Sequence, residues 1–156
     1  MPRAQSAGIV LFRRGADGLE VLLVHPGGPF WARKDAGAWS IPKGEIGDGE
    51  DLQAAAMREF AEELGSTIRG TLIPMEPVAQ SRNKTVHPFA VEGDLDATAI
   101  RSTMISLEWP AGSGMHRTFP EIDRAAWFPM TEAKRRILRG QLPILDALAA
   151  LAKGSD

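Results

Sequence analysis

Three glutamates, Glu59, Glu62 and Glu63, lie in a stretch whose apolar residues Leu52, Ala56, Phe60 and Leu64 recur every four positions. That period predicts a helix over 51–64. Residues three and four apart are neighbours on a helix, with β-carbons roughly 5–6 Å apart. The three carboxylates are therefore expected side by side, opposite the apolar stripe. Like charges at that spacing cost about 0.2–0.5 kcal/mol per pair. Arg58, four residues before Glu62, offsets part of this, and a bound divalent cation would offset much more. Hard cations such as Mg²⁺ take carboxylate oxygens and suit phosphate substrates. A solvated acidic face is the alternative. The segment just before the helix, with Gly44, Gly47 and Gly49, favours the chemical reading, because glycine lets backbone approach a metal or phosphate closely.

The residues Gly44, then five, Glu50, then seven, then Arg58-Glu59-Phe60-Ala61-Glu62-Glu63-Leu64-Gly65 resemble the signature box of the Nudix hydrolase family. Every fixed polar and glycine position is present, and only the final apolar site departs, being Ser66. So many fixed positions at fixed spacing are a specific signal. The resemblance implies an α/β fold, an α/β/α sandwich with a mixed β-sheet. It implies Mg²⁺ or Mn²⁺ as cofactor and cleavage of a phosphoanhydride bond in a nucleoside diphosphate linked to another group. Carried over by position, Glu62 and Glu63 would be metal ligands, and Glu59 a ligand or the general base. A backbone carbonyl at Lys43 or Gly44 would complete the shell, and Arg58 and Glu50 would brace the loop against the helix.

Outside the box, Glu108, Glu121 and Asp123 are candidates for one further acidic ligand. Glu121 is preferred, because its spacing to Trp127 resembles the diadenosine tetraphosphate hydrolase-like branch of the family. Lys43, in Pro42-Lys43-Gly44, resembles that branch and the diphosphoinositol polyphosphate branch, whereas Glu45 departs from the former. Lys43, Arg82 and Lys84 are candidate phosphate contacts. Phe30 and Trp31 stand in a glycine-rich loop, as candidates either to stack on a base, worth about 1–3 kcal/mol, or to cover the edge of the core. Dinucleoside polyphosphates are thus the expected substrates. The alternatives are a nucleoside triphosphate pyrophosphohydrolase that sanitises the nucleotide pool, and a Nudix-like module that binds without cutting. Such modules lose box glutamates, and here all three remain. Isopentenyl diphosphate isomerase shares the fold but relies on a cysteine, and the chain has none.

The elements that must position these groups follow from local pattern. Strands are expected over 6–14 and 19–25, joined by turn residues Gly15-Ala16-Asp17-Gly18. Loops are expected over 26–38 and 43–49, around a short extended piece over 39–42. Further strands are expected over 72–80, 85–92, 102–109 and 124–128. Thr131 is expected to cap a helix through Arg139, and Pro143 to start a last one through Leu151. Trp39, Trp109 and Trp127 are expected in or beside the core.

Composition bounds the rest. One domain, 1–156, is expected from 156 residues with 44% hydrophobic and 24% charged residues. A net charge of −2 gives no footprint for a nucleic-acid polymer, so the expected partner is a small nucleotide. Without cysteine, disulfides and thiolate chemistry are excluded. The apolar run 7–12, followed by Arg13 and Arg14, is too short for a membrane span and wrongly ordered for a secretion signal. A cytoplasmic location and no membrane contact are expected.

Overall fold

The computed structural model describes residues 4–154. Strand β1 (Ala4–Gly15) turns through Asp17 into β2 (Gly18–Pro26). Then come β3 (Lys43–Glu45), α1 (Leu52–Leu64), β4 (Ile73–Pro74), β5 (Val78–Ser81) and β6 (Lys84–Glu92). A hairpin of β7 (Met104–Glu108) and β8 (His116–Pro120) precedes β9 (Ile122–Pro129), α2 (Met130–Arg136) and α3 (Leu142–Gly154). The main sheet runs β4-β6-β1-β2-β9, with β3 on β1 and β5 on β6. It is mixed: β1 and β6 are parallel, and the other pairs are antiparallel.

The central strands are apolar on both faces because both are covered. In β1, Ala7, Ile9 and Leu11 pack with Phe60 and Leu64 of α1, while Val10 and Phe12 pack with Ile144, Leu145 and Leu148 of α3. In β2, Leu22 and Val24 face α1's side, and Val21 and Leu23 the other. This period-two sorting builds the expected α/β/α sandwich. Among the described residues no helix is long and apolar enough to cross a membrane.

Several local expectations are corrected. The segment 43–45 is a strand, not loop, pairing Gly44 with Ala7. The short extended piece over 39–42 is present and makes single bridges, Ser40 to Val24 and Trp39 to Ile137. The stretch 72–80 is two strands, broken around Pro74 and Pro77, since proline lacks a donor for the ladder. Strand β8 escaped notice because it is polar and exposed on most of its length and pairs only with β7. Thr131 caps nothing: α2 begins after Pro129, makes no side-chain cap bond and ends at Arg136. Leu52, read as part of the buried stripe, is 38% exposed, because it stands in the first turn, at the open end of the helix.

Candidate active site

Helix α1 starts where the Asp51 carboxylate accepts from the Ala54 N–H at 3.2 Å. It stops at Gly65, whose φ of 74° suits glycine. The buried contacts of Phe60 and Leu64 fix its rotation about its axis. That rotation corrects one reading: Glu59 and Glu63 do not lie opposite the apolar stripe but flank it, 8% and 6% exposed. Only Glu62 faces outward, with its side chain 45% exposed.

The buried carboxylates point at β3. A β-carbon on Gly44 would stand 2.0 Å from the Glu59 carboxylate, so glycine leaves the space that this carboxylate fills. The Lys43 backbone N–H donates to Glu63 Oε1 at 3.2 Å. Arg58 ties the loop to the helix. Its Nε and Nη2 donate to the two oxygens of Glu50 at 2.8 and 2.9 Å, and Nη2 also donates to the Glu45 carbonyl at 3.0 Å. Its Nη1 donates to Glu59 at 2.8 Å and Glu62 at 3.2 Å. Glu50 in turn accepts from the Gly47 N–H at 2.8 Å, which closes the loop on itself.

These contacts set the electrostatics. Arg58, then the Gly47 N–H, hold the Glu50 carboxyl down at about 2. Burial, and after it the charge of Glu121, push Glu63 up to about 8, against the Lys43 N–H and ammonium. Burial also raises Glu59, opposed by Arg58. Burial raises Glu121, with Glu59 and Glu62 adding to it. Lys43 is lowered by burial and then by Lys84.

A cleft of about 320 Å³ opens beside this cluster and brings together Glu63, Glu121, Lys43, Lys84, Gln80 and Trp31. Of the three loop acids, Glu121 lines it. Asp123 instead faces the buried His25 ring, 2.8 Å from Nδ1, and Glu108 accepts from the Gly112 N–H at 2.7 Å in the hairpin turn. Arg82 is exposed and does not line the cleft. A second, mostly apolar cleft of about 430 Å³ lies between the Pro26–Trp31 loop and the β7–β8 hairpin, and shares Trp31 and Glu121 with the first.

Two positions went unnoticed in the sequence. His25 is fully buried, and its Nε2 lies 2.6 Å from the Lys34 carbonyl, which fastens the loop carrying Phe30 and Trp31. Gln141, also fully buried, joins Ile41 to Gln80 in the cleft wall. Neither carries a pattern signal, because the side chains that meet them, Asp123 for His25 and Ser40 and Gln80 for Gln141, lie 61 to 101 positions away.

The carboxylates suit a hard divalent cation. Glu59, Glu63 and Glu121 have raised proton affinities in one neighbourhood, and a cation relieves the same crowding that protons relieve. Among the described residues no three acidic or histidine side chains surround one point. Glu59 is turned to Arg58, and Glu63 to the Lys43 N–H. Ligation would draw them off these partners.

Known proteins resemble this chain in sequence and in fold. The model of the NUDIX domain matches residues 2–148. An RNA pyrophosphohydrolase of Caulobacter vibrioides is 46% identical over 52 residues, which span 30% of this chain and 30% of that protein. The NUDIX domain of Shewanella oneidensis NrtR, solved with ADP ribose, superposes with a TM-score of 0.68 at 16% identity, covering 97% of this chain and 90% of that one. A C. elegans Ap4A hydrolase in a binary complex superposes with a TM-score of 0.63 at 21% identity, covering 97% and 98%. At these identities the two superpositions show a shared fold.

Proposed function

The chain belongs to the NUDIX domain family, and on that footing we propose that it is a divalent-metal-dependent hydrolase of phosphoanhydride bonds in a nucleoside diphosphate joined to a further group. The observation that carries this reading is the meeting of Glu63 and Glu121 with Lys43 and Lys84 in one cleft, beside Glu59 and Glu62. Acids that suit a cation and cations that suit phosphate are what a polyphosphate needs on its two sides.

Glu59, Glu62, Glu63 and Glu121 would hold Mg²⁺ or Mn²⁺, with the Gly44 carbonyl beside them. The bound ion would supply a water of lowered pKa and offset charge on the phosphates. Lys43 and Lys84 draw a phosphate group into the cleft as point charges. Their mutual repulsion makes an anion between them more favourable. Glu59, whose proton affinity burial raises, is suited to accept a proton from an attacking water. Arg58 and Glu50 position the loop and touch no reacting atom.

The finer reading is a dinucleoside polyphosphate. The apolar cleft beside Trp31 supports it, since a second base needs its own stacking surface. The Caulobacter relative favours a second reading, a 5′-phosphorylated RNA end. The test compares kcat/KM under one metal condition for diadenosine tetraphosphate, an oxidised deoxyguanosine triphosphate, ADP-ribose, a diphosphoinositol phosphate and a 5′-triphosphorylated oligoribonucleotide. Diadenosine tetraphosphate is expected to lead. A tenfold lead by the RNA end or the oxidised triphosphate replaces the finer reading, and no turnover of any substrate overturns the proposal.

A further inference from the structure

Strand β5 pairs with β6 through Ala79 to Thr85 and then Ser81 to Lys84, which leaves Gln80 as the extra residue of a bulge. Bulges re-aim a side chain, and this one sets Gln80 in the wall of the Lys43–Lys84 cleft. The backbone there is clamped, because a β-carbon on Gly140 would stand 1.8 Å from the Gln80 carbonyl oxygen.

The orientation of the Gln80 amide follows from hydrogen-bond polarity. The Ile41 backbone N–H can only donate, and it donates to Gln141 Oε1 at 3.0 Å. The other end of Gln141 is therefore its amino group, which donates to Ser40 Oγ at 2.9 Å and to Gln80 Oε1 at 3.0 Å. Ser40 is free to accept, because its own hydroxyl hydrogen goes to the Ile41 carbonyl at 2.7 Å. Gln80 thus has its oxygen committed inward. No buried side-chain nitrogen among the described residues lacks a partner, so the Gln80 amino group, which bonds to none of those residues, is exposed on a side chain that lines the cleft. Lysines and glutamates in this cleft supply charge, whereas Gln80 supplies a neutral, directional donor held by a backbone N–H two links away.

The geometry points to Gln80 as a specificity-determining substrate contact. Its N–H groups donate to an acceptor atom of the bound nucleotide, and Gln141 is the positioning residue that fixes this polarity. The choice of a nucleotide as ligand rests on the proposed function. The cleft, the bulge and the amide relay stand without it.

The test titrates ADP, adenosine and inorganic pyrophosphate, each with Mg²⁺, into the full chain by calorimetry. The variants are Gln80→Met, Gln80→Glu, Gln141→Met and the double substitution Gln80→Met with Gln141→Met. Gln80→Met should weaken ADP binding roughly three- to tenfold, as loss of one hydrogen bond does. Gln80→Glu, which accepts from Gln141 but donates nothing, should weaken it further. A parallel loss for pyrophosphate places the contact on a phosphate oxygen. A loss confined to the adenosine-bearing ligands places it on base or ribose. The double variant should bind no more weakly than Gln80→Met, because Gln141 acts through Gln80. Losses that multiply instead overturn the role of Gln141. If Gln141→Met does not fold, the variants at half-buried Gln80 carry the test. Unchanged affinity of Gln80→Met for all three ligands, or no binding by the wild-type chain, overturns the inference. Gln80-dependent ADP binding without hydrolysis of any substrate overturns the proposed function and leaves this inference standing.

Discussion

Gly44 and Glu59 are packed so closely that a β-carbon on the first would lie 2.0 Å from the carboxylate of the second. The hydrogen at Gly44 thus leaves the room that the Glu59 carboxylate occupies against β3. The Gly44→Ala variant should keep its fold, because the flexible end of Glu59 can swing aside. Its turnover should fall about a hundred- to a thousandfold, the scale of losing one aligned group that stabilises the transition state. Parallel measurement of kcat and Tm checks this, and wild-type kcat in the variant contradicts it.

Burial and the charge of Glu121 push Glu63 from the ordinary 4.5 up to about 8. Between those values the folded chain keeps a proton that the unfolded chain has released, so stability falls as pH rises through the window. Glu59 and Glu121 are raised too, which adds in the same direction. The Tm of the metal-free protein should therefore decline from about pH 5 to pH 8. A bound cation replaces the proton, so Mg²⁺ affinity should climb over the same range. Thermal melts across pH with and without Mg²⁺ measure both. A metal-free Tm that rises with pH over this range contradicts the account.

Arg58 makes a fork to Glu50, reaches the Glu45 carbonyl and touches Glu59 and Glu62. Lysine carries the charge but not the planar fork. Arg58→Lys should lower activity about 10–100-fold, as loss of groups that orient metal ligands does. It should also raise the Mg²⁺ concentration needed for half-maximal rate. An unchanged metal requirement would show that the brace has no influence on the carboxylates.

His25 links Asp123 to the Lys34 carbonyl and packs edge-on to Trp39, with ring centroids 5.2 Å apart. His25→Ala leaves that carbonyl and a cavity without partners. It should destabilise the fold by about 1–3 kcal/mol and loosen the loop that carries Trp31. Denaturant melts followed by tryptophan fluorescence report both, and a stability equal to wild type contradicts the role.

What the sequence made legible, and what it did not, divides along one physical line. The four-residue period of Ala56, Phe60 and Leu64, the turn at Asp17-Gly18 and the doubly apolar β1 and β2 are local signals, and each leads to the observed element. The positions of Glu59, Glu62, Glu63, Arg58 and Glu50 follow from spacing on one helix and its loop. The burial of Glu59 and Glu63 does not, because the helix's rotation depends on where Ala7 and Gly44 lie across the sheet. Among the three acids, Glu121 is marked in the sequence by its spacing to Trp127. Its place in the cleft is set by β9 pairing with β2, where Ile122 meets Pro26 across a register shift. Gln80 and Gln141 meet across 61 positions, through a bulge and a glycine contact that no short pattern announces.

The proposed function requires the carboxylates of α1 to carry metal-dependent hydrolysis. The most direct measurement is the turnover of diadenosine tetraphosphate with saturating Mg²⁺ or Mn²⁺ by the wild-type chain and by Glu62→Gln and Glu63→Gln, each confirmed folded by its melt. These substitutions keep shape and remove charge. The wild type should cleave only with metal, and kcat should fall about a hundred- to a thousandfold in each variant. Metal-independent cleavage, or near-normal kcat in both variants, would contradict the proposed function.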